Sequence, residues 1–213
     1  MRRSFATLSA LAATLLLAGA AGAAGGSWGP GADDASFQAM LKSGFREAGI
    51  AKLSRLEQDA TQAFCSDPKF AESKEAAKKR AEIEAVNLAA IKWPSDGKYL
   101  GDFKEGEKIA QSGRGLTSTD KADQVNGGNC YNCHQISKTE ISYGTIGPSL
   151  LGYGKLKGNS EQAQRETWAK IWNSKSANAC SNMPRGGHMG ILSEQQVKDL
   201  LALLLDPASP VNQ

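Results

Sequence analysis

The 213-residue chain carries 25 Lys and Arg against 22 Asp and Glu, a formal net charge of +3, with 40% hydrophobic and 22% charged residues. So even a balance gives no strong attraction to nucleic acid or to a membrane surface. The length permits one domain, or one domain with a sizeable extension.

The chain opens Met1-Arg2-Arg3 and runs into an apolar stretch over residues 8–20, followed by Ala20, Ala21, Gly22, Ala23 and Ala24. That is the three-part pattern of a secretory signal, with an A-x-A-like site at Ala21-Gly22-Ala23. The stretch is short of the roughly 20 residues that span a bilayer; retention as an anchor is the minor alternative. Arg2-Arg3 reads as a positive n-region rather than as a twin-arginine signal. Cleavage after Ala23 removes both arginines and leaves 190 residues with a formal charge of +1. No later apolar run approaches membrane length, so the mature chain is expected to be soluble and periplasmic, in an oxidising compartment where disulfides persist.

Residues 24–32 are glycine-rich and read as unstructured. A helical pattern follows over residues 33–91. Phe37, Met40 and Leu41 share one face; Leu53, Leu56, Ala60, Ala63 and Phe64 form a second stripe. After Pro68, a highly charged segment sets Ile83, Val86 and Ala90 on one side and places Glu75 to pair with Lys79 at i,i+4. The shortage of large apolar residues argues against an independent core. This region is read as a helical extension that packs on the following domain or on another protein, a solvated appendage being the alternative. Trp93-Pro94-Ser95-Asp96-Gly97 is a loop signal and the expected boundary. The chain is thus divided into a signal peptide (1–23), an N-terminal helical extension (24–97) and a second domain (98–213).

Residues 101–111 predict a short helix with Gly106 in its middle. Glycine there costs about 1 kcal/mol relative to alanine, which a close helix crossing would justify. The expected partner is the last helix, opened by the capping-box pattern Ser193-Glu194-Gln195-Gln196, faced with Val197, Leu200, Leu201 and Leu204, and stopped by Pro207.

Between these helices stands Cys130-Tyr131-Asn132-Cys133-His134. A C-x-x-C-H string reads as a covalent haem attachment site. Two thiols are placed to take the two vinyl groups of one porphyrin, and the adjacent imidazole can ligate the iron. C-x-x-C alone also suits a redox dithiol or half a zinc site, with Cys65, Cys180 and His188 as the other zinc candidates. Those are scattered, and no βαβ pattern surrounds the motif. Downstream, Gly144-Thr145-Ile146-Gly147-Pro148-Ser149-Leu150 is a loop whose Pro148 carbonyl can accept the second ring N–H of His134 and orient it. Residues 161–173 predict another helix, with Trp168 and Ile171 or Trp172 turned inward.

A second axial ligand is expected from methionine or histidine. Met40 lies on an apolar helical stripe and reads as packing. Met183, His188 and Met189 share one stretch. Met183 is preferred, because Pro184 and the glycines at 186 and 187 make a loop able to deliver a thioether; His188 and Met189 stay open. Cys65 and Cys180 are an even leftover pair in an exported chain and are expected to be bridged, which in the chain-entropy model is worth roughly 4–5 kcal/mol. Two free thiols, or a bridge to another chain, are the alternatives. No segment shows strand alternation, so the fold is expected to be mainly α.

With these residues in view, residues 98–206 resemble class I c-type cytochromes. The chain is closer to one family: SoxX, the monohaem subunit of the SoxAX cytochrome complex of bacterial sulfur oxidation. The resemblance rests on Gly127 to His134, on Gly144 to Leu150, on Ala179-Cys180-Ser181-Asn182-Met183-Pro184-Arg185, and on the tail Asp206-Pro207-Ala208-Ser209-Pro210-Val211-Asn212. It implies a class I cytochrome c-like domain with one covalently bound haem c on Cys130 and Cys133, ligated by His134 and Met183. It further implies a heterodimer with a SoxA-like cytochrome, electrons released as thiosulfate is joined to a cysteine of the SoxYZ carrier, and a soluble cytochrome acceptor. Catalysis (L-cysteine S-thiosulfotransferase chemistry) would lie on the partner, with no catalytic residue on this chain. A generic periplasmic monohaem shuttle is the rival reading. A haem enzyme with an open iron site is a third, which Met183 argues against.

Overall fold

The computed structural model describes residues 35–67 and 73–213. The signal-like segment, the glycine-rich stretch and Pro68 lie outside the described residues. Among the described residues seven α-helices run in chain order: α1 (Ala35–Gly44), α2 (Ala60–Ser66), α3 (Lys74–Ala89), α4 (Phe103–Gln111), α5 (Tyr153–Lys157), α6 (Glu161–Trp172) and α7 (Glu194–Leu205). Short 3-10 turns stand at Leu53–Leu56, Cys130–Asn132, Ser174–Ser176 and Pro210–Asn212. Among the described residues the only β pairing is an isolated bridge between Ala48 and Ala51. The fold is mainly α.

The central packing is the crossing of α4 and α7. Gly106 makes it possible: a Cβ there would collide with the Asp199 carbonyl and crowd Leu203. Asp199, itself buried, accepts from the Asp102 N–H at 2.9 Å, and the Lys198 carbonyl accepts from the Gly101 N–H at 3.0 Å. Asp102 in turn caps α4 through Lys104 N, so the helix starts two residues after the expected Gly101. The reciprocal capping box of Ser193 and Gln196 opens α7, and Val197, Leu200, Leu201 and Leu204 are all buried. The tail folds back on this helix: the Ser209 hydroxyl donates to the Leu203 carbonyl, and the Asn212 amide donates to the carbonyls of Leu204 and Asp206. Its side-chain oxygen accepts from Gly154 N at 2.8 Å, which pins α5, a helix the sequence did not predict.

α6 turns Trp168, Ile171 and Trp172 all inward, where the sequence left a choice between the last two. Trp168 stacks on Trp172 with centroids 5.5 Å apart and meets Tyr99 edge-on at 5.8 Å. Its indole N–H donates to the Lys92 carbonyl at 2.9 Å. Arg165 covers the Trp93 ring, 4.1 Å from its centroid. The loop expected as a boundary is therefore seated on α6, and Ile91 and Tyr99 join the same core as Trp168.

The N-terminal region differs from its apolar reading. Asp59 and Gln62 form a capping box that starts α2, so the stripe from Leu53 to Phe64 is broken into a 3-10 turn and a short helix. Met40, expected to pack, is 56% exposed, and α1 buries nothing. On α3 Val86 is 69% exposed and only Ala76 is buried. Lys79 pairs with Glu82 at 3.4 Å rather than with Glu75. The face that α3 turns inward is polar: Glu84 accepts from Ala179 N at 3.0 Å, and Asn87 accepts from the Asn173 amide at 2.8 Å. Hydrogen bonds, not an apolar stripe, seat α3 on the second half of the chain.

Candidate functional site

The C-x-x-C-H string lies against the C-terminal end of α4. Gly128 N donates to Ile109 O at 2.8 Å, Asn129 N to Ser112 O at 2.9 Å, and Gly127 N to Arg114 O at 2.8 Å. A Cβ on Gly127 would collide with the Ser112 carbonyl. Asn129 adopts a left-handed φ of 52°, a conformation asparagine tolerates. The turn Cys130–Asn132 then closes with Cys133 N and His134 N both donating to Cys130 O, at 3.1 and 2.9 Å. In this turn Tyr131 goes into the core, 6% exposed, while Cys130, Cys133 and His134 stay half-buried. Residues i, i+3 and i+4 of a helical turn share a side, and this is the arrangement one flat group needs.

Residues 144–150 run back along the turn. Gly144 N donates to Tyr131 O, Gly147 N to Cys133 O and Leu150 N to Gln135 O, at 2.8, 2.8 and 2.7 Å. A Cβ on Gly147 would collide with the His134 ring, and one on Gly144 with the Asn132 carbonyl. The closeness sets His134 Nδ1 2.7 Å from Pro148 O. A carbonyl can only accept, so Nδ1 carries the proton and Nε2 keeps its lone pair for a metal.

The sulfurs of Cys130 and Cys133 are not bonded to each other. Burial pushes the Cys130 thiol up to about 12, with the neighbouring Cys133 and Glu107 adding to the rise. A redox dithiol works through a thiolate of lowered pKa, so this environment is wrong for it. The zinc reading loses two of its sulfur ligands, because Cys65 and Cys180 are joined in a disulfide. Among the described residues no three of His, Cys, Asp and Glu gather as a metal site. Haem fits: two unbonded thiols and an imidazole with Nε2 free lie on one side of a turn, and Ile146, beside Gly147, is left exposed for an apolar group to cover.

Met183 lies in the loop after the Ser174–Ser176 turn. Its N–H donates to Ser181 Oγ at 3.2 Å and its carbonyl accepts from Ser174 Oγ at 2.6 Å, while the residue is 37% exposed. Three residues earlier, Cys180 bonds to Cys65 of α2; two residues later, Arg185 pairs with Asp59 at 2.6 Å. The Met183 backbone is therefore fixed on both sides, and the residue is partly exposed. His188 and Met189 fall in the next turn, where His188 N donates to Trp172 O at 2.9 Å and Met189 N to Arg185 O at 2.9 Å; both side chains are exposed.

Two charged residues were missed in the sequence. Glu107 Oε1 accepts from Tyr131 OH and from the Gln111 amide, both at 2.8 Å, and its buried Oε2 has no hydrogen-bond partner. Burial and this carboxylate hold the Tyr131 phenol well above its ordinary pKa. Phe103, Gly106, Glu107 and Ala110 stand at i, i+3, i+4 and i+7, so helical spacing alone places Glu107 on the inner stripe. Lys175, 6% exposed, lies in a turn with no periodicity to betray it.

Residues 103–206 match the family model described as Cytochrome c. The chain is also 36% identical over 159 residues, 73% of its own length and 73% of the relative's, to a protein of Aquifex aeolicus (strain VF5) named "Uncharacterized lipoprotein".

Proposed function

The chain belongs to the cytochrome c family, and from that premise we propose that it is a SoxX-like monohaem subunit that takes up electrons as a SoxA-like partner oxidatively joins thiosulfate to a cysteine of a SoxYZ carrier. As a c-type cytochrome it is an electron-transfer haem protein with covalently bound haem c. The single C-x-x-C-H string in the sequence supports one haem per chain. The haem, when bound, supplies one-electron iron chemistry. Cys130 and Cys133 would hold it by thioether bonds. Pro148 O fixes the tautomer of His134, whose Nε2 would ligate the iron. Met183 would supply the second protein ligand, from a backbone held by Ser174 and Ser181 and flanked by the Cys65–Cys180 bridge and the Arg185–Asp59 pair. A thioether raises the potential relative to a second imidazole, which suits an acceptor that passes electrons on to a soluble cytochrome.

The observation that carries the haem reading is the His134–Pro148 bond beside two unbonded cysteines, with the partly exposed Met183 as the candidate second ligand. The finer assignment to a SoxAX-type complex is supported by the Cys180–Arg185 and Asp206–Asn212 segments. An exported, periplasmic location is supported by the signal-like N-terminus, and no helix among the described residues is long and apolar enough to cross a membrane. Purification of the haem-loaded protein from its host tests the reading. Copurification with a second c-type cytochrome is expected. Isolation alone, with full electron exchange toward a soluble cytochrome, would instead establish the generic shuttle.

A further inference from the structure

A cleft of about 470 Å³ lies between α2 and the loop that carries Met183. Lys175 and Arg185 line it together with Gln62, Ser181, Asn182 and the Cys65–Cys180 disulfide. Lys175 is buried, and among the described residues its ammonium makes one hydrogen bond, to Ala179 O at 3.1 Å, which leaves two of its three donors without a partner there. The Arg185 side chain is 16% exposed, and among the described residues one of its five N–H groups is engaged, by Asp59 Oδ2 at 2.6 Å. Asp59 spends its other oxygen on Gln62 N at 2.8 Å. Among the described residues, two cations thus share one carboxylate. Burial lowers the Lys175 pKa, the nearby Arg185 charge lowers it further, and Asp59 only partly offsets this. A buried charge is costly without a partner, and here the shortfall is one negative charge beside a hydroxyl and side-chain amides able to donate.

We propose that this cleft binds a small inorganic oxyanion of the sulfate type, held by Lys175 and Arg185. The cleft does not include Cys130, Cys133 or His134, although Met183, the assigned second iron ligand, also lines it, and it does not depend on the identity of the partner subunit. Because its walls come from α2 and from the 180–185 loop, the bound anion also braces the contact between the extension and the cytochrome domain.

Sulfate titrated into the haem-loaded protein at constant ionic strength, followed by calorimetry, provides the test. Saturable binding of one sulfate per chain is expected. Lys175→Gln keeps a donor for Ala179 O but removes the charge, and should weaken binding by about tenfold or more, the scale of one charge-assisted hydrogen bond. Asp59→Asn keeps a good helix cap and removes the competing carboxylate, so it should tighten binding. The haem spectrum reports that each variant has folded. No saturable binding by the unaltered protein, or an affinity unchanged in Lys175→Gln, overturns the proposal.

Discussion

His134 Nδ1 sits 2.7 Å from the Pro148 carbonyl, and Gly147, the residue before that proline, has no room for a Cβ beside the imidazole ring. The same close approach that fixes the tautomer forbids a side chain at 147. Gly147→Ala should therefore displace the ring and lower the yield of haem-loaded protein. The haem-to-protein ratio of purified material checks this, and an unaltered ratio with an unaltered ferric spectrum would count against the geometry.

Replacing Met183 by alanine should abolish the weak far-red absorption that marks methionine bound to ferric haem, and should lower the midpoint potential. The corresponding changes at His188 and Met189 should leave both intact. A loss seen at Met189 or His188 instead would move the ligand one turn along the same loop.

Cys65 and Cys180 are bridged across a sequence separation of 115 residues. Replacing both by serine should cost roughly 4–5 kcal/mol in the chain-entropy model, or less if the unfolded chain keeps structure. Urea unfolding of the two forms measures it. Equal midpoints would mean that the bridge constrains little.

At Gly106 an added methyl group meets the Asp199 carbonyl and Leu203. Gly106→Ala improves helix propensity by about 1 kcal/mol, whereas overpacking costs about 1–3 kcal/mol and has no flexible side-chain tip to yield. A net lowering of the melting temperature is expected, and a rise would show that the crossing can open.

Asp59 offers a pH signature. Burial pushes its carboxyl up, but the Gln62 N–H bond and the Arg185 pair outweigh that and hold it below the usual carboxylate range. A depressed folded pKa stabilises above the unfolded value, near 3.8, and that contribution is lost as pH falls through the folded value. Unfolding curves of the unaltered protein and Asp59→Asn should differ at neutral pH and converge in acid. The group is more than a third exposed, so the difference should be modest.

The haem turn, the 144–150 loop, the capping box of α7 and the need for glycine at 106 were legible in the sequence, because each is local chemistry or a simple period. The N-terminal region was not. Its apolar spacing suggested stripes, but Val86 and Met40 face solvent. Apart from the Cys65–Cys180 bridge, which the sequence did suggest, what seats it is a scatter of polar contacts, such as Glu84 to Ala179 and Arg185 to Asp59, and these have no period to read.

By itself the sequence determined which chemistry this protein can do. Cys130, Cys133 and His134 are neighbours in the chain, so a single short turn is enough to bring them to one group. Only the tertiary structure decided what surrounds that turn. Pro148 meets His134 because backbone hydrogen bonds lay 144–150 along it, and Lys175 and Arg185 share the single carboxylate of Asp59 because folding brings α2 to a loop more than a hundred residues away. Side chains that far apart in sequence are paired by packing and exclusion of water, and neither is written in local spacing.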